Sequence, residues 1–406
     1  MQNNRTIICF TASYPYGKRE TYFETELQYL AKAFERVIIV PKYNPYELDG
    51  LRNIPSNVEV ASPALSMNKM KRFVKGIFSP APIGLYFEDL WNNKPYRSFR
   101  HFKSWFQSLL MHRIIYRKFK DLLQEIKGEV VVYSYWADAP VIGTHLLQKH
   151  GKVVRMHRWD FYVEEHRGYL PVREKIYQSS DILLPISEEI RGRLIEDYKI
   201  DRDKIHLSYL GVLAGESKEE VFAKKNDGVL RIVSCSRVDP IKRVDLIAES
   251  ILMLGEEQMV EWHHFGDGVD FEMLKEKTNQ APEHISIHLH GWAEQEDLYS
   301  FYKQHYVTWF INVSRHEGVP VSIMEAISFG VPSIATDVGA TCELVNGDNG
   351  FLVQESITAD ELIDLILSYK QPDYSSKRSK AYQTWEEKFN ADKNYKILVD
   401  LLVGLE

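Results

Sequence analysis

Two glutamates, Glu317 and Glu325, stand with seven residues between them in the stretch His316 to Ala340, HEGVPVSIMEAISFGVPSIATDVGA. Ionised carboxylates only accept hydrogen bonds, so a spaced pair suits a ligand rich in hydroxyl donors, such as a sugar. Between them, Gly318 and Pro320 mark a loop-to-helix junction. Proline is favoured at the first helical position, because its fixed φ suits the turn and its missing N–H has no intrahelical bond to lose. The backbone from Gly318 through Val319, Pro320 and Val321 to Ser322 then opens at the positive end of the helix dipole, where phosphate oxygens are readily held. Sugar, diphosphate and ribose follow one another in a nucleotide-sugar, and this stretch offers a partner for each. Taken singly, either glutamate could be a solvated surface residue.

Other segments add candidates. SCSRVDPIKRVDLI sets Arg237 and Lys242 just after a strand-like run, and two fixed cations can neutralise the charge on a departing diphosphate, the work Mg²⁺ does elsewhere. VVRMHRWDFYVEEH sets His157 and Asp160 after another strand, with Arg155, Arg158 and Trp159 expected to shape an acceptor side. A lone histidine there also fits a hydrogen-bonded core position. TASYPYGKRETYFETEL follows the first strand and carries Gly17, Lys18 and Arg19, which either reach a phosphate or form an exposed basic loop. HLHGWAEQEDLYSFY brings Gly291 and Trp292 to the end of a later strand. Gly266-Asp-Gly268 is only a fragment of a dinucleotide fingerprint, which argues against a dehydrogenase. Asp201 and Asp203 read as a solvated loop, so neither a metal site nor a cofactor is expected. Cys9, Cys235 and Cys342 are scattered, as free thiols are.

These residues need a scaffold. A chain of 406 residues, 44% hydrophobic and 26% charged, suits two globular domains. Short apolar runs alternate with amphipathic segments, the sign of parallel sheets with crossover helices. Strands are expected at Thr6 to Phe10, Val37 to Val40, Val130 to Tyr133, Val153 to Met156, Ile182 to Pro185 and Ile205 to Tyr209, with a helix from Thr21 to Phe34. The polar stretch AGESKEEVFAKKNDG after Leu213 reads as a linker. A second alternation runs from Leu230 through Glu261, Ile285, Val307 and Ser333 to Val353. The expected division is an N-terminal Rossmann-like domain over 1–212, a C-terminal one over 213–372 and terminal helices over 373–406, with ligands at the carboxyl ends of the strands. The N-terminus, MQNNRTIICF, lacks the features of a signal peptide, so a cytoplasmic protein is expected.

One region departs from the rest. The chain carries a formal charge of −7, yet from residue 69 to residue 120 lysines and arginines far outnumber acids and are interleaved with aromatic residues. Cations and aromatics on helices suggest a surface that meets anionic lipid. The other reading is that the aromatics pack into the first domain and the cations form a solvated face. No recognition motif supports nucleic-acid binding.

The stretch from Glu317 to Glu325, with its continuation GVPSIATDVGATCELVNGDNGFLV, resembles the donor-site signature of retaining glycosyltransferases of family 4, which have the GT-B architecture. The resemblance is dense from Leu230 to Val353, patchier from Arg5 to Phe34 and from Val130 to Val212, and absent from about Ala64 to Lys127. It implies an α/β protein with two Rossmann-like domains facing across a cleft, the last helix crossing back to the first domain. It implies that Glu317 contacts the transferred sugar, Glu325 the ribose, and the Gly318 to Ser322 amides, Arg237 and Lys242 the diphosphate. His157 falls beside the sugar and Asp160, Lys18 and Arg19 toward the acceptor, while Gly17 approaches the donor and Gly291 and Trp292 border the base. Where many relatives have two adjacent glycines, this chain has Gly17 followed by Lys18. The implied activity is metal-independent sugar transfer from a nucleoside-diphosphate sugar to a glycan or lipid-linked acceptor in surface polysaccharide or lipopolysaccharide assembly, in the cytoplasm or at the inner face of the membrane. The competing readings are a GT-B protein that binds a nucleotide-sugar without turnover and a soluble transferase that makes a small disaccharide.

Overall fold

The computed structural model describes residues 3–17, 20–45, 52–149 and 151–405. They fall into two compact units, Met1–Tyr209 with Tyr395–Glu406, and Leu210–Asn394.

The first unit is built on a parallel sheet of β1 (Asn3–Thr11), β2 (Phe34–Pro41), β3 (Val58–Val60), β4 (Val130–Ser134), β5 (Lys152–Met156) and β6 (Ile182–Pro185), in the order β3-β2-β1-β4-β5-β6. Ile7, Ile8, Val37, Ile39, Val132, Val153 and Leu183 are buried. Continuous β-branched and aliphatic runs of this kind are expected where helices cover both faces of a sheet. Helix α1 (Thr21–Ala33) follows β1 and buries Phe23, Leu27 and Leu30, spaced for one helical face. Between β3 and β4 lie α2 (Lys69–Phe78), α3 (Gly84–Asn92) and α4 (Phe99–Gln124). This basic, aromatic region is divided between core and surface. Ile114, Ile115 and Phe119 of α4 join the core over Ile8, Ile38 and Val132, whereas α2 and the start of α4 leave their rings exposed.

Arg155, expected on the acceptor side, is instead fully buried. It pairs with Glu26 at 3.2 Å and donates to the Tyr133 hydroxyl at 2.6 Å. A charge removed from water is tolerated only with such partners, so this arginine belongs to the core. The terminal segment is tied to the same unit, because the Arg5 guanidinium donates to the carbonyls of Val403 and Leu405 at 2.7 and 2.6 Å.

The second unit repeats the plan with β7 (Leu230–Cys235), β8 (Val260–Phe265), β9 (Ile285–Gly291), β10 (Trp309–Asn312), β11 (Ser333–Thr336) and β12 (Gly350–Val353), in the order β12-β11-β10-β7-β8-β9. In each sheet the chain winds one way from its first strand and then the other. The direction reverses between β1 and β4, and again between β7 and β10. Ligands of such sheets sit beyond the carboxyl ends of the strands at these switch points.

Two further expectations change. Ile205 to Tyr209 is not a strand; only Ile205 bridges Leu183. The segment read as a linker contains the helix Lys218–Ala223, capped reciprocally by Ser217 and Glu220 and anchored by the buried Val221. Its charge pattern hid a capping box, in which a serine and a glutamate three residues on satisfy each other's amides. No helix among the described residues is long and apolar enough to cross a membrane.

Candidate active site

At the switch point of the second unit, the loop leaving β7 is tightly constrained. Gly268 approaches so closely that an added Cβ would lie 2.1 Å from the Val238 carbonyl oxygen. The Asp239 carboxylate accepts from the amides of Ile241 and Lys242 at 3.0 and 3.1 Å, folding a turn that presents Lys242. Arg243 follows with a left-handed backbone and donates to the Val313 carbonyl at 2.7 Å, fastening the loop to the chain beyond β10.

Lys242 Nζ lies 2.6 Å from Glu317 Oε1, and the Asn312 amide donates to the same oxygen at 3.1 Å. Asn312 is itself oriented, since its carbonyl accepts from the Ser314 amide and hydroxyl at 3.2 and 2.5 Å. A carboxylate gripped from β7's loop by a cation and from β10 by an amide has one preferred orientation. From behind, Gly339, at φ 57°, backs the Glu317 peptide; a Cβ there would sit 2.1 Å from the Glu317 carbonyl oxygen.

The chain then enters the helix Val321–Ser328, with Pro320 at the capping position in extended conformation. The proline thus stands one place before the first helical position expected for it. No described residue accepts from the backbone amides of Gly318, Val319, Val321 or Ser322. First-turn amides have no partner inside a helix, so this row is open to an anion.

Glu325 lies in the same helix and is buried, not the solvated residue its type would suggest. Gln295 donates to its Oε1 at 2.5 Å. Burial raises the Glu325 carboxyl to about 7, against the opposing pull of the Gln295 hydrogen bond. Beside it, burial and the charge of Glu325 push the Cys235 thiol up to about 12.

Arg237 is exposed and pairs with Asp239 at 3.0 Å. It shares the loop of Lys242. Gly291 closes β9 at φ 67° and accepts from the Gly266 amide at 2.7 Å, with the half-exposed Trp292 next in the chain.

In the first unit, the loop after β1 is already occupied. The Glu20 carboxylate accepts from the amides of Ala12, Ser13 and Tyr14 at 2.9, 2.7 and 2.8 Å and from the Trp136 indole at 2.6 Å. Three converging amides are an anion nest, and here the chain's own carboxylate fills it. Gly17 has a left-handed backbone, and its carbonyl accepts from Arg52 at 2.6 Å. Lys18 and Arg19 lie outside the described residues.

Asp160, expected toward the acceptor, is turned into the fold. Its two oxygens accept from the amides of Ala137 and His157 at 2.6 and 2.7 Å, joining the ends of β4 and β5. Burial raises its carboxyl to about 7, opposed by Arg173 and these amides. His157 packs against Trp136, with ring centroids 4.4 Å apart and the rings tilted, and its Nε2 has no partner among the described residues. Burial, then the Arg155 charge, lower its imidazole to about 3, which keeps it neutral.

Residues 230–369 match the family model of the glycosyl transferases group 1. Lys242, Asn312, Glu317 and Glu325 all lie within the matched residues. Among curated relatives, the putative colanic acid biosynthesis glycosyltransferase WcaL of Escherichia coli K12 is 25% identical over 58% of this chain, and the match spans only 59% of that protein's length. Among solved structures, the lipopolysaccharide outer core galactosyltransferase WaaB gives a TM-score of 0.65 at 16% identity, with 98% of this chain and 99% of that one covered. Anabaena HepE in complex with UDP-glucose gives 0.62 at 13% identity, with 98% and 99% covered. At such identities the likeness is one of fold. The fold is GT-B, and the matched residues lie in its second Rossmann-like unit.

Sequence reasoning missed three residues of these sites. Asn312 could have been found as a polar residue closing the buried strand WFIN at a switch point. Glu20 and Gln295 gave no signal, because each acts through contacts that only the folded chain makes.

Proposed function

We propose that this protein is a glycosyltransferase that moves a sugar from a nucleoside-diphosphate sugar to a glycan or lipid-linked acceptor in surface polysaccharide or lipopolysaccharide assembly, with retention and without a metal ion. The observation that carries this reading is the Lys242–Glu317 pair beside the open amides of Gly318 to Ser322, at the β7/β10 switch point. The names of WcaL and WaaB support the process, and the UDP-glucose bound in HepE makes uridine nucleotides the first donors to test. A lipid-linked acceptor would bring the enzyme to the cytoplasmic face of a membrane.

The amides and the Lys242 ammonium take the diphosphate, and Arg237 adds a second cation from the same loop. Charge building on the leaving diphosphate is offset by groups already in position, which is where electrostatic catalysis gains most. Glu317, fixed by Lys242 and Asn312, orients the donor sugar through its hydroxyls. Glu325 accepts from the ribose, with Gln295 as its second partner. The acceptor hydroxyl attacks from the face the diphosphate leaves, and a phosphate oxygen takes its proton. His157, kept neutral, remains able to donate or accept one hydrogen bond to a sugar hydroxyl.

Thermal shift against a panel of nucleoside diphosphates and their sugars tests the reading, since a ligand that binds only the folded state raises its stability. One base should stand out, and its sugar conjugate should release nucleoside diphosphate on incubation. Binding without any release would favour a nucleotide-sugar-binding protein instead.

A further inference from the structure

The helix α2 is mounted with its apolar face outward. Asn68 caps it, accepting from the amides of Met70 and Lys71 at 2.9 and 3.0 Å. Of its ten residues only Gly76 is buried, and a Cβ there would meet the Leu110 Cβ at 2.8 Å. The glycine brings the two backbones together and fixes which face points away. That outer face carries Met70 and Val74, and Phe78 is 76% exposed; in the adjoining elements Trp91 and Phe99 reach 78% and 85%. Burying one such side chain is worth about 1.5–3 kcal/mol, so a group of them left in water marks a surface that meets something apolar.

The surrounding charge narrows what that is. Helix α2 holds four cations and no acid, in a chain whose formal charge is −7. A cavity of about 450 Å³ opens at its foot, walled by Lys71, Arg72 and Lys75 over a floor of Ala64, Leu65 and Ile114, and no residue lining it is acidic. The Arg72 guanidinium is pinned there by the carbonyls of Ser66 and Met67 at 2.6 and 3.0 Å. Lys118, which donates to the Ser62 hydroxyl at 2.6 Å, adds a further cation from α4. Cations over an apolar floor, next to outward-facing rings, match a lipid phosphate with its acyl chains alongside. A second copy of this chain would set like charges face to face, and a nucleic acid has no use for exposed Phe78 and Phe99.

We propose that α2, with α3 and the start of α4, docks on an anionic phospholipid surface, the rings entering the interface and the cavity at the foot of α2 taking a lipid phosphate. The proposal stands on the first unit alone and does not depend on the sugar-transfer reading. Co-sedimentation of the full chain with phosphatidylcholine vesicles, with and without phosphatidylglycerol, tests it. The protein should pellet with the anionic vesicles at low salt and be released at high salt. Lys71→Glu with Lys75→Glu should lower that partition by about 10-fold or more, near 1 kcal/mol per cation lost plus the reversed charge. Phe78→Ser should weaken it at any salt. Soluble short-chain phosphatidylglycerol should compete where inorganic phosphate does not. The midpoint of thermal unfolding without ligand should be the same in all variants, which shows that they fold. Equal partition onto neutral vesicles, variants that bind like the parent, lipid-independent dimerisation abolished by Phe78→Ser, or tighter binding to a DNA duplex than to vesicles would each overturn it.

Discussion

Lys242 and Glu317, 75 residues apart in the chain, meet in one hydrogen bond of 2.6 Å between the loop after β7 and the loop after β10. The pair sets each group's orientation before any ligand arrives. Lys242→Ala should therefore reduce turnover for two reasons, the loss of a cation from the leaving diphosphate and the loosening of Glu317. A double-mutant cycle with Glu317→Gln measures the second: the combined loss should fall well short of the product of the single losses. Multiplicative effects would mean that the two residues act separately.

Glu325 links binding to pH. Its carboxyl titrates near 7 in the folded protein because burial disfavours the charge, whereas the unfolded chain titrates near about 4.3. Hydroxyl donors on a ribose need the ionised form. Nucleotide affinity should then rise with pH through about 7, with a proton released on binding, and calorimetry in buffers of different ionisation heat would detect that release. A folded-state pKa raised above the unfolded value also means that stability from this group is present at low pH and lost as pH rises between those values. Glu325→Gln should thus be more stable than the parent at alkaline pH without ligand while binding nucleotide more weakly, by about 1–3 kcal/mol.

Gly339 offers a way to move Glu317 without touching its side chain. Gly339→Ala places a methyl 2.1 Å from the Glu317 carbonyl oxygen at a backbone angle that favours glycine. A displacement of about 1 Å in a positioned group can cost roughly 100-fold in rate. Turnover should fall on that scale with nucleotide affinity through Glu325 largely kept. A variant with parental kinetics would show that the loop can shift without consequence.

Glu20 makes a separate prediction about the first unit. Its carboxylate satisfies three amides and an indole, and a hydrogen bond to a charged group contributes about 1.5–3 kcal/mol. Glu20→Ala should lower stability by at least that much and leave the nest of Ala12, Ser13 and Tyr14 amides open to solutes. Chemical denaturation measures the first effect, and a stabilisation by added sulfate that is larger for the variant than for the parent measures the second.

Much of this could be read from the sequence because it rests on local pattern. The alternation of apolar runs and amphipathic helices foretells both sheets, since burial on both faces demands it. Glu317, Gly318, Pro320 and Glu325 lie in one continuous stretch, so their spacing survives folding. What could not be read depends on approach in space. Arg155 looks like a surface cation until Glu26 and Tyr133 close around it. Asp160 looks available until two amides claim both of its oxygens. Pro320 differs by one position because an extended ψ lets it cap the helix instead of opening it.

The central claim is that Glu317 orients a donor sugar whose diphosphate the neighbouring amides and Lys242 receive. Release of nucleoside diphosphate from the preferred donor, compared between the parent and Glu317→Gln at saturating donor, tests it most directly. The account predicts a fall of roughly 100-fold or more, the scale of losing one preorganised transition-state contact, with nucleoside-diphosphate affinity nearly unchanged. Parental turnover in Glu317→Gln would contradict it.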